Sequence, residues 1–337
     1  MRAIVLKDGM GIDHLHLENR DVPKAGPGEI VVRLKAGSLN YRDLATVNGF
    51  GRTEPGAPLV PLSDGAGEVV EVGAGVRRVK VGDHVCPQFF QTWFSGGPSL
   101  AAISQPLGGP LDGCAQDYIK LSAEGVAKAP ANYTAEEAAT LPCAALTAWR
   151  ALVVEGNIKA GDTVLLQGTG GVSIFALQFA KAAGARVIIT SSSDEKLERA
   201  KALGADLTIN YKKTPDWSSE ARKLTRGYGV DHVVEVGGAD TLSQSIMAAR
   251  IGGHVAVIGI LSGLVKDVNV AAIFSQNLRI TGISVGSRAH FEDMVRAIEV
   301  NDIHPVIDKR YPLEEARAAF TTMAGASHFG KIVLNIA

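Results

Sequence analysis

Cysteine is scarce in this sequence. It occurs three times in 337 residues, at Cys86, Cys114 and Cys143, and no two of these form the C-x-x-C pair of a zinc site or a redox motif. This scarcity excludes a disulfide framework and a cage of four thiolates. It favours a reducing, cytoplasmic location.

An excess of one charge and long apolar runs are also lacking. The chain carries 34 Lys and Arg against 35 Asp and Glu. No segment gathers enough basic side chains to neutralise many phosphates, so we expect no nucleic-acid partner. No stretch reaches the roughly 20 apolar residues that span a bilayer, and the N-terminal residues lack the features of a signal peptide. We therefore expect no membrane partner.

Glycine is abundant, with 38 residues, and the pattern around it changes along the chain. Residues 1–127 contain short strand-like runs separated by Gly and Pro, which predicts a mostly β domain. Within it, residues 89–112 show no helical or strand period, so we expect a long loop that is functional or mobile. Residues 288–337 return to this mixed pattern, and we expect them to complete the same domain.

Residues 128–287 have a different pattern, in which continuous apolar runs such as TVLLQ, RVIIT and DHVVEV alternate with helical segments. Strands without polar alternation are buried on both faces. Helices between them cover a parallel sheet on its two sides. The sequence therefore predicts an α/β fold with a doubly wound parallel sheet in this part of the chain.

The turn between TVLLQ and the next helix is the most specific motif. It consists of Gly168, Thr169, Gly170, Gly171 and Val172. A strand, a glycine turn and a helix in this order allow backbone amides to approach the pyrophosphate of a dinucleotide. Ser173 replaces the third glycine of the usual fingerprint, where a small residue still permits helix packing. We predict that this turn binds a dinucleotide cofactor.

The next strand ends without an acidic residue. Ser191 and Ser192 stand about 20 residues after the glycines, where a carboxylate binds the ribose hydroxyls of NAD. A carboxylate there would repel a ribose phosphate, whereas serine hydroxyls and the ammonium of Lys196 bind one. The pattern favours NADP(H) over NAD(H).

Other residues are candidates for the same cofactor site. Asn210 and Tyr211, after the following strand, are placed to close over the ribose phosphate. Ser192 and Glu195 also fit a helix capping box, a reading compatible with phosphate binding. Further candidates lie at the carboxyl ends of later strands, where doubly wound sheets bind ligands: Gly237, Gly259, Ile260, Leu261 and Ser262.

The glycine turn together with VEVGAGVRRVKVGDHV and LPCAALTAW resembles the medium-chain dehydrogenase/reductase superfamily over nearly the whole chain. The resemblance implies a GroES-like catalytic domain formed by both chain ends and a Rossmann cofactor domain. It implies contact between Thr147 and the nicotinamide carboxamide. It also implies a homodimer in which the strand around Leu278–Val285 pairs with its twin.

Zinc alcohol dehydrogenases of this superfamily bind their metal through a cysteine, a histidine and a second cysteine. The resemblance places Asn40 and Ser63 at the first two of these positions and Cys143 at the third. An amide and a hydroxyl are not usual zinc ligands, and one thiol does not hold a catalytic zinc. We expect no zinc, and an activity similar to that of zinc-independent quinone oxidoreductases and enone reductases.

Four residues near these positions are catalytic candidates. Asn40 leads, because GSLNYRD resembles the stretch that lines the nicotinamide pocket of quinone oxidoreductases, where an amide orients the cofactor or donates to an enone oxygen. Ser63 would face the former metal site, and Asp43 would pair with Arg42 or a backbone amide. Tyr41 or water would donate the proton, since Phe50 stands where enoyl reductases resembling this chain carry a tyrosine.

The sequence thus predicts an NADP(H)-dependent, zinc-independent reductase of a small-molecule quinone, enone or aldehyde. Two alternatives stay open. One is an alcohol dehydrogenase of the same fold, and the other is a non-catalytic, crystallin-like or nucleotide-sensing protein that keeps the cofactor site. Four aromatic residues fit either an apolar substrate wall or a core: Phe89, Phe90, Trp93 and Phe94.

Overall fold

The computed structural model describes residues 1–51, 54 and 56–337. Its strands are, in chain order, β1 (Arg2–Leu6), β2 (Leu15–Asn19), β3 (Glu29–Leu39), β4 (Asp64–Val72), β5 (His84–Pro87), β6 (Tyr118–Ser122), β7 (Val126–Lys128), β8 (Thr163–Gln167), β9 (Arg186–Ser191), β10 (Leu207–Asn210), β11 (Val230–Glu235), β12 (Ala249–Val257), β13 (Arg279–Gly282), β14 (Ile307–Pro312) and β15 (Lys331–Asn335).

The helices alternate with the later strands. They are α1 (Tyr41–Val47), α2 (Leu100–Ile103), α3 (Ala135–Ala138), α4 (Leu146–Trp149), α5 (Gly171–Ala182), α6 (Asp194–Ala202), α7 (Trp217–Leu224), α8 (Leu242–Ala248), α9 (Val270–Ser275), α10 (Arg288–Asn301) and α11 (Ala316–Ala324). Among the described residues, no helix has the length and apolar character needed to cross a membrane.

The chain divides into two units, one formed by Met1–Leu146 with Val285–Ala337 and the other by Thr147–Ser284. The sequence placed the first boundary at residue 127, so the segment 128–146 lies in a different unit from the one expected. It stays with the first unit because α3 packs on β3 and β4, with Ala138 buried at the contact.

The first unit contains a mostly antiparallel sheet with the strand order β14-β15-β3-β4-β5-β7, and β6 also pairs with β3. β15 runs antiparallel to β3, with Ile332 opposite Leu39. The C-terminal segment therefore completes the sheet of the N-terminal part, as predicted. This register brings Lys331, the first residue of β15, to the end of β3.

The core of the first unit lies on the apolar face of β3 and its neighbours. Ile30, Val32 and Leu34 alternate along β3 and are at most 1% exposed, and Phe320 of α11 belongs to the same cluster. Val31, on the opposite face, is also only 1% exposed, so β3 is covered on both faces at this point. The core therefore fixes the position of the residues that follow β3, beginning with Asn40.

The second unit contains a parallel sheet with the strand order β10-β9-β8-β11-β12-β13. The order reverses between β8 and β11, as it does in dinucleotide-binding doubly wound sheets. Leu165, Ile188, Val233 and Val255 are fully buried in the sheet, because helices cover both of its faces. The predicted doubly wound fold is confirmed.

Candidate functional site

The glycine turn after β8 has free space beside its backbone. Gly168 has a φ of 70°, a conformation that glycine adopts without strain, and a Cβ added to Gly168 or Gly170 would meet no protein atom within 4 Å. Gly170 precedes α5 and provides no side-chain cap for it. The first amides of α5, at Gly171 and Val172, therefore suit the oxygens of a pyrophosphate, which accept hydrogen bonds at a helix N-terminus.

Two neighbours of these glycines are buried. Thr169 is 5% exposed and Ser173 is 2% exposed. The Ser173 Oγ donates to the carbonyl oxygen of Gln167 at 2.6 Å, which ties the first turn of α5 to the end of β8. The departure from the third fingerprint glycine is therefore accommodated by a hydrogen bond within the turn.

The serines after β9 have separate roles. Ser191 is 4% exposed, and its Oγ accepts from the amide of Ser193 at 3.2 Å. Ser193 caps α6 by accepting from the amide of Lys196 at 3.3 Å. The expected cap by Ser192 and Glu195 is therefore wrong, because the chain turns at Ser192 and the helix begins one residue later. The cap does not use the Ser192 hydroxyl.

Asn210 and Tyr211 lie beside the N-terminus of α6. The Tyr211 amide donates to the carbonyl of Ser191 at 3.1 Å, and the Asn210 Nδ2 donates to Asp194 Oδ1 at 2.7 Å. Lys213 pairs with the other oxygen of Asp194. The ammonium of Lys213 and the amide of Asn210 hold the pKa of the Asp194 carboxyl below its usual value. This carboxylate, which sequence reasoning did not anticipate, is balanced by a lysine.

The glycines after β11 and β12 differ from those after β8, because protein atoms surround them. A Cβ on Gly237 would lie 2.2 Å from Thr241 Oγ1, and one on Gly259 would lie 2.0 Å from the carbonyl oxygen of Val236. Ser262 Oγ donates to the Gly237 carbonyl at 2.9 Å. Close packing of the chain therefore accounts for these two glycines without a ligand. Beside them, Ile260 and Leu261 are 41% and 51% exposed.

Glu235, at the end of β11, organises this edge of the sheet and was missed in the sequence. It is 0% exposed. Its Oε1 accepts from the amides of Gly237 at 2.8 Å and Gly238 at 2.9 Å and from Thr241 Oγ1 at 2.6 Å. Its Oε2 accepts from Gln167 Nε2 at 2.6 Å and from Ser245 Oγ. The available signal was an acidic residue closing the apolar run DHVVEV.

In the first unit, Asn40 and Ser63 come together. Asn40 follows β3 and Ser63 precedes β4, and these strands pair so that Ser38 lies opposite Asp64. The Asn40 Nδ2 lies 3.5 Å from Ser63 Oγ, and Ser63 Oγ donates to Asp64 Oδ1 at 2.8 Å. Asn40 is 9% exposed, and the other two are fully buried. Two positions that the resemblance assigned to metal ligands therefore form a hydrogen-bonded cluster.

Cys143 joins the same cluster through its backbone. Its amide donates to Asp64 Oδ2 at 3.1 Å, and desolvation raises the pKa of its thiol well above the ordinary range. Zinc binds the thiolate rather than the thiol. Among the described residues, no three His, Cys, Asp or Glu side chains are grouped to hold a metal ion. The amide of Asn40 and the hydroxyl of Ser63 are not usual zinc ligands, so the donor set at these three positions differs from that of a catalytic zinc site.

The Asp43 carboxylate accepts hydrogen bonds from the backbone of two residues of the cluster. Its Oδ2 accepts from the amide of Asn40 at 2.8 Å and its Oδ1 from the amide of Ser63 at 3.1 Å. Arg42 Nη1 lies 3.4 Å from the same Oδ1, so the structure shows both contacts that the sequence suggested. Burial raises the pKa of Asp43, and the Arg42 charge opposes this effect. Its oxygens hold two loops and are not directed at a ligand.

Arg42 also anchors the segment 89–112. It donates to the carbonyls of Leu107 at 2.7 Å and Gly109 at 3.2 Å, and its guanidinium lies 5.1 Å from the centre of the Phe89 ring. This segment contains α2 and is not the featureless loop that the sequence suggested. Three of its four aromatic residues are buried, and Phe94 alone among the four is 39% exposed.

The remaining candidates lie at the surface or in the second unit. Tyr41, the first residue of α1, is 47% exposed, and Phe50 is 56% exposed. Thr147 belongs to the second unit and is 3% exposed. Tyr41 therefore lies at the surface, next to Asn40 in the chain.

Lys331 is the second residue of the candidate site that sequence reasoning missed. It is 3% exposed, and its Nζ donates to Asn40 Oδ1 at 2.6 Å. Burial lowers the pKa of Lys331. Burial also raises the pKa of Asp64 to about 6, although the nearby Lys331 ammonium opposes the rise. A lysine opening the apolar strand KIVLNI was the available signal in the sequence.

Comparisons with known proteins show the family to which the chain belongs. The alcohol dehydrogenase GroES-like domain family matches residues 26–131 and the zinc-binding dehydrogenase family matches residues 171–300. A zinc-type alcohol dehydrogenase-like protein of Schizosaccharomyces pombe is 48% identical over 343 residues, which cover 100% of this chain and 99% of that protein.

Solved structures show the same relationship. A protein of Sinorhizobium meliloti assigned as an alcohol dehydrogenase superposes with a TM-score of 0.93 at 41% identity, covering 99% of this chain and 98% of that chain. An NAD-dependent alcohol dehydrogenase superposes with a TM-score of 0.91 at 36% identity, covering 100% of both chains. The fold and these similarities define an oxidoreductase with two units, one of which contains a doubly wound parallel sheet. The chain belongs to the medium-chain dehydrogenase/reductase superfamily, as the sequence motifs implied.

Other similar proteins carry different activities in their names. A mycobacterial quinone oxidoreductase superposes with a TM-score of 0.83 at 28% identity over 100% of both chains. A 2-haloacrylate reductase of Burkholderia is 31% identical over 99% of this chain and 98% of that protein. Overall similarity therefore extends to alcohol dehydrogenases and to reductases, and the substrate class has to be inferred from the site.

Proposed function

We propose that this protein uses NADPH to reduce a quinone, an α,β-unsaturated carbonyl or an aldehyde, without a catalytic zinc. The observation that carries the proposal is the hydrogen-bonded cluster of Asn40, Ser63 and Asp64, with the Lys331 ammonium on its Asn40 side. Where a zinc enzyme needs three ligands to polarise an oxygen, this chain offers an amide donor beside a buried cation.

The cofactor is proposed to bind at the turn of Gly168 and Gly170, with its pyrophosphate on the first amides of α5. When bound, the nicotinamide supplies the hydride. Ser192 and Lys196 would bind the ribose phosphate, and the charge of Asp194 does not oppose this because Lys213 pairs with it. A mycobacterial structural neighbour at 28% identity was solved with NADPH, whereas another neighbour is NAD-dependent.

In the first unit, Asn40 is proposed to donate a hydrogen bond to the carbonyl oxygen of the substrate through the Nδ2 hydrogen that does not face Ser63. Negative charge grows on that oxygen during hydride transfer, and a donor already aimed at it lowers the barrier. Asp43 holds the Asn40 backbone in place through its amide. The exposed Tyr41 hydroxyl or water supplies the proton that completes the reduction.

Two measurements test this function. In one assay, purified protein is mixed with NADPH and with benzoquinone, methyl vinyl ketone or benzaldehyde, and NADPH oxidation is followed by absorbance. In a second assay, it is mixed with NADP and a secondary alcohol, and NADP reduction is followed in the same way. Its zinc content is measured by mass spectrometry. We expect NADPH consumption with the quinone or the unsaturated ketone, its loss in Asn40→Ala, and little zinc.

The other outcomes select the alternatives. About one tightly bound zinc per chain together with alcohol oxidation would establish an alcohol dehydrogenase, the activity suggested by the names of the Schizosaccharomyces and Sinorhizobium relatives. Tight NADPH binding without turnover of any acceptor would establish a non-catalytic nucleotide-binding protein.

A further inference from the structure

Lys331 is a buried cation at the start of β15. It is 3% exposed, and its Nζ donates to the carbonyl of Leu39 at 2.7 Å and to Asn40 Oδ1 at 2.6 Å. Removing an ammonium from water is costly, and apolar replacements of buried ions are often neutral or stabilising. The stability of the strand therefore does not explain a lysine at this position.

The contact with Lys331 decides the orientation of the Asn40 amide. An ammonium donates hydrogen bonds and accepts none, so the atom of Asn40 that faces it must be Oδ1. The Nδ2 group then lies on the opposite side, 3.5 Å from Ser63 Oγ, and Ser63 donates onward to Asp64. The hydrogen bonds all run in one direction, from a buried cation to a buried carboxylate.

We infer that Lys331 is a positioning residue that presents the Asn40 N–H donor to the substrate and strengthens it. This inference rests on the function proposed above. An amide whose oxygen accepts from a charged donor is polarised, and its N–H group becomes a better donor. The arrangement suits substrates whose oxygen gains negative charge, such as a quinone or an enone.

A double-mutant cycle tests the route through Asn40. The proteins are the wild type, Lys331→Met, Asn40→Ala and the double variant, because methionine keeps an unbranched apolar stem but removes the donor. We expect Lys331→Met to lower kcat/KM for the acceptor about 10- to 100-fold, with NADPH affinity unchanged. In the Asn40→Ala background the same change should have no further effect. Lys331→Arg, which keeps charge and donors, should recover part of the loss.

A second readout does not depend on turnover. NMR spectra of protein with isotope-labelled asparagine contain the side-chain amide signal of Asn40, assigned by its absence in Asn40→Ala. We expect Lys331→Met to shift or broaden this signal while the other asparagine signals and the melting temperature show that the protein is folded.

The two readouts separate the possible failures. Independent, additive losses in the cycle, or an unchanged Asn40 signal in Lys331→Met, would overturn the role of Lys331 while the enzyme still reduces its acceptor. A signal that moves in a protein unable to consume NADPH with any acceptor would instead refute the proposed function and, with it, a catalytic role for the oriented amide.

Discussion

The side-chain amide of Gln167 donates a hydrogen bond to the carboxylate of Glu235 at 2.6 Å. This contact joins the ends of β8 and β11, the two strands between which the strand order reverses. The Gln167 Oε1 in turn accepts from the amides of Val236 at 3.1 Å and Gly237 at 3.0 Å. The edge of the sheet at which the cofactor is proposed to bind is held in shape by a buried polar pair.

Glu235→Ala tests this structural role. The change leaves several buried donors without an acceptor, at about 1–3 kcal/mol each, so we expect the free energy of unfolding to fall by at least about 3 kcal/mol. Urea unfolding measures it. Glu198→Ala is the control, because the Glu198 side chain is 70% exposed and pairs with Lys201 at the surface, and it should cost less than about 1 kcal/mol. Similar stabilities for both variants would contradict the role.

Gly170→Ala separates cofactor binding from folding. Gly170 has a φ of −81°, which alanine adopts, and its added Cβ would meet no protein atom. We expect stability to be unchanged or raised by less than about 1 kcal/mol. We also expect the Kd for NADPH, measured by fluorescence titration, to rise at least about tenfold because the methyl group occupies space meant for the pyrophosphate.

The control is Gly259→Ala, whose Cβ would lie 2.0 Å from a backbone oxygen and which should therefore be destabilised. An unchanged NADPH affinity in Gly170→Ala would place the cofactor elsewhere.

Ser192→Asp tests the proposed phosphate site. A carboxylate at this position repels the ribose phosphate of NADPH and accepts hydrogen bonds from the ribose hydroxyls of NADH. We expect the ratio of NADH to NADPH affinity, from binding titrations with both cofactors, to rise at least about tenfold. Ser193→Ala is the matched control, since it removes a helix cap worth about 1 kcal/mol and should leave the ratio unchanged. A constant ratio in Ser192→Asp refutes the assignment.

The pKa of Asp64 predicts a dependence of stability on pH. Burial raises this pKa from 3.8 to about 6, so the folded protein favours the protonated carboxyl. The associated stability is fully present below pH 3.8 and is lost as the pH rises through about 6. Asp64→Asn does not titrate, and its stability relative to the wild type should therefore increase with pH, by up to about 3 kcal/mol.

Urea unfolding of both proteins across this pH range measures the difference. A stability difference that stays constant with pH would show that the Asp64 carboxyl does not titrate as described.

A second copy of this chain is the proposed partner of β13. This strand is last in the sheet order of the second unit, and Ile280 on it is 37% exposed. Ile280→Lys places a charge on a pairing edge, which opposes strand addition. We expect sedimentation velocity to show a wild-type dimer and a variant monomer, with Val300→Lys, at a residue that is 85% exposed in the first unit, remaining dimeric. A wild-type protein that sediments as a monomer would refute the proposed dimer.

Much of the fold could be predicted because buried strands have a recognisable pattern of apolar residues in the sequence. The runs TVLLQ and DHVVEV form neighbouring parallel strands in the centre of the second unit's sheet, as their lack of polar alternation requires. The helix cap after β9 was misplaced by one residue because three consecutive serines fit a cap equally well. Only the backbone turn at Ser192 distinguishes them.

Residues of the candidate site could be predicted where they belong to a recognisable sequence motif. Residues that join the site only through the pairing of distant strands could not. Asn40 and Ser63 could be found from stretches next to β3 and β4. Lys331 could not, because periodicity predicts a strand but not its partner, and the lysine matters only through the pairing of β15 with β3. Glu235 was missed although four of its five donors lie within ten residues of it in the chain, because the apolar pattern predicts the strand and does not show that Gln167, the one distant donor, faces the carboxylate.

Lys331 and Asn40 are separated by 291 residues, which has a consequence for biosynthesis. At a synthesis rate of about 5–20 residues per second, roughly 15 to 60 seconds pass between the addition of Asn40 and that of Lys331. During this interval β3 lacks β15 on one side, and unpaired edges of this kind bind other strands. The growing chain therefore has an unpaired strand edge during this interval, and the Asn40 amide meets Lys331 only when the last strand is added.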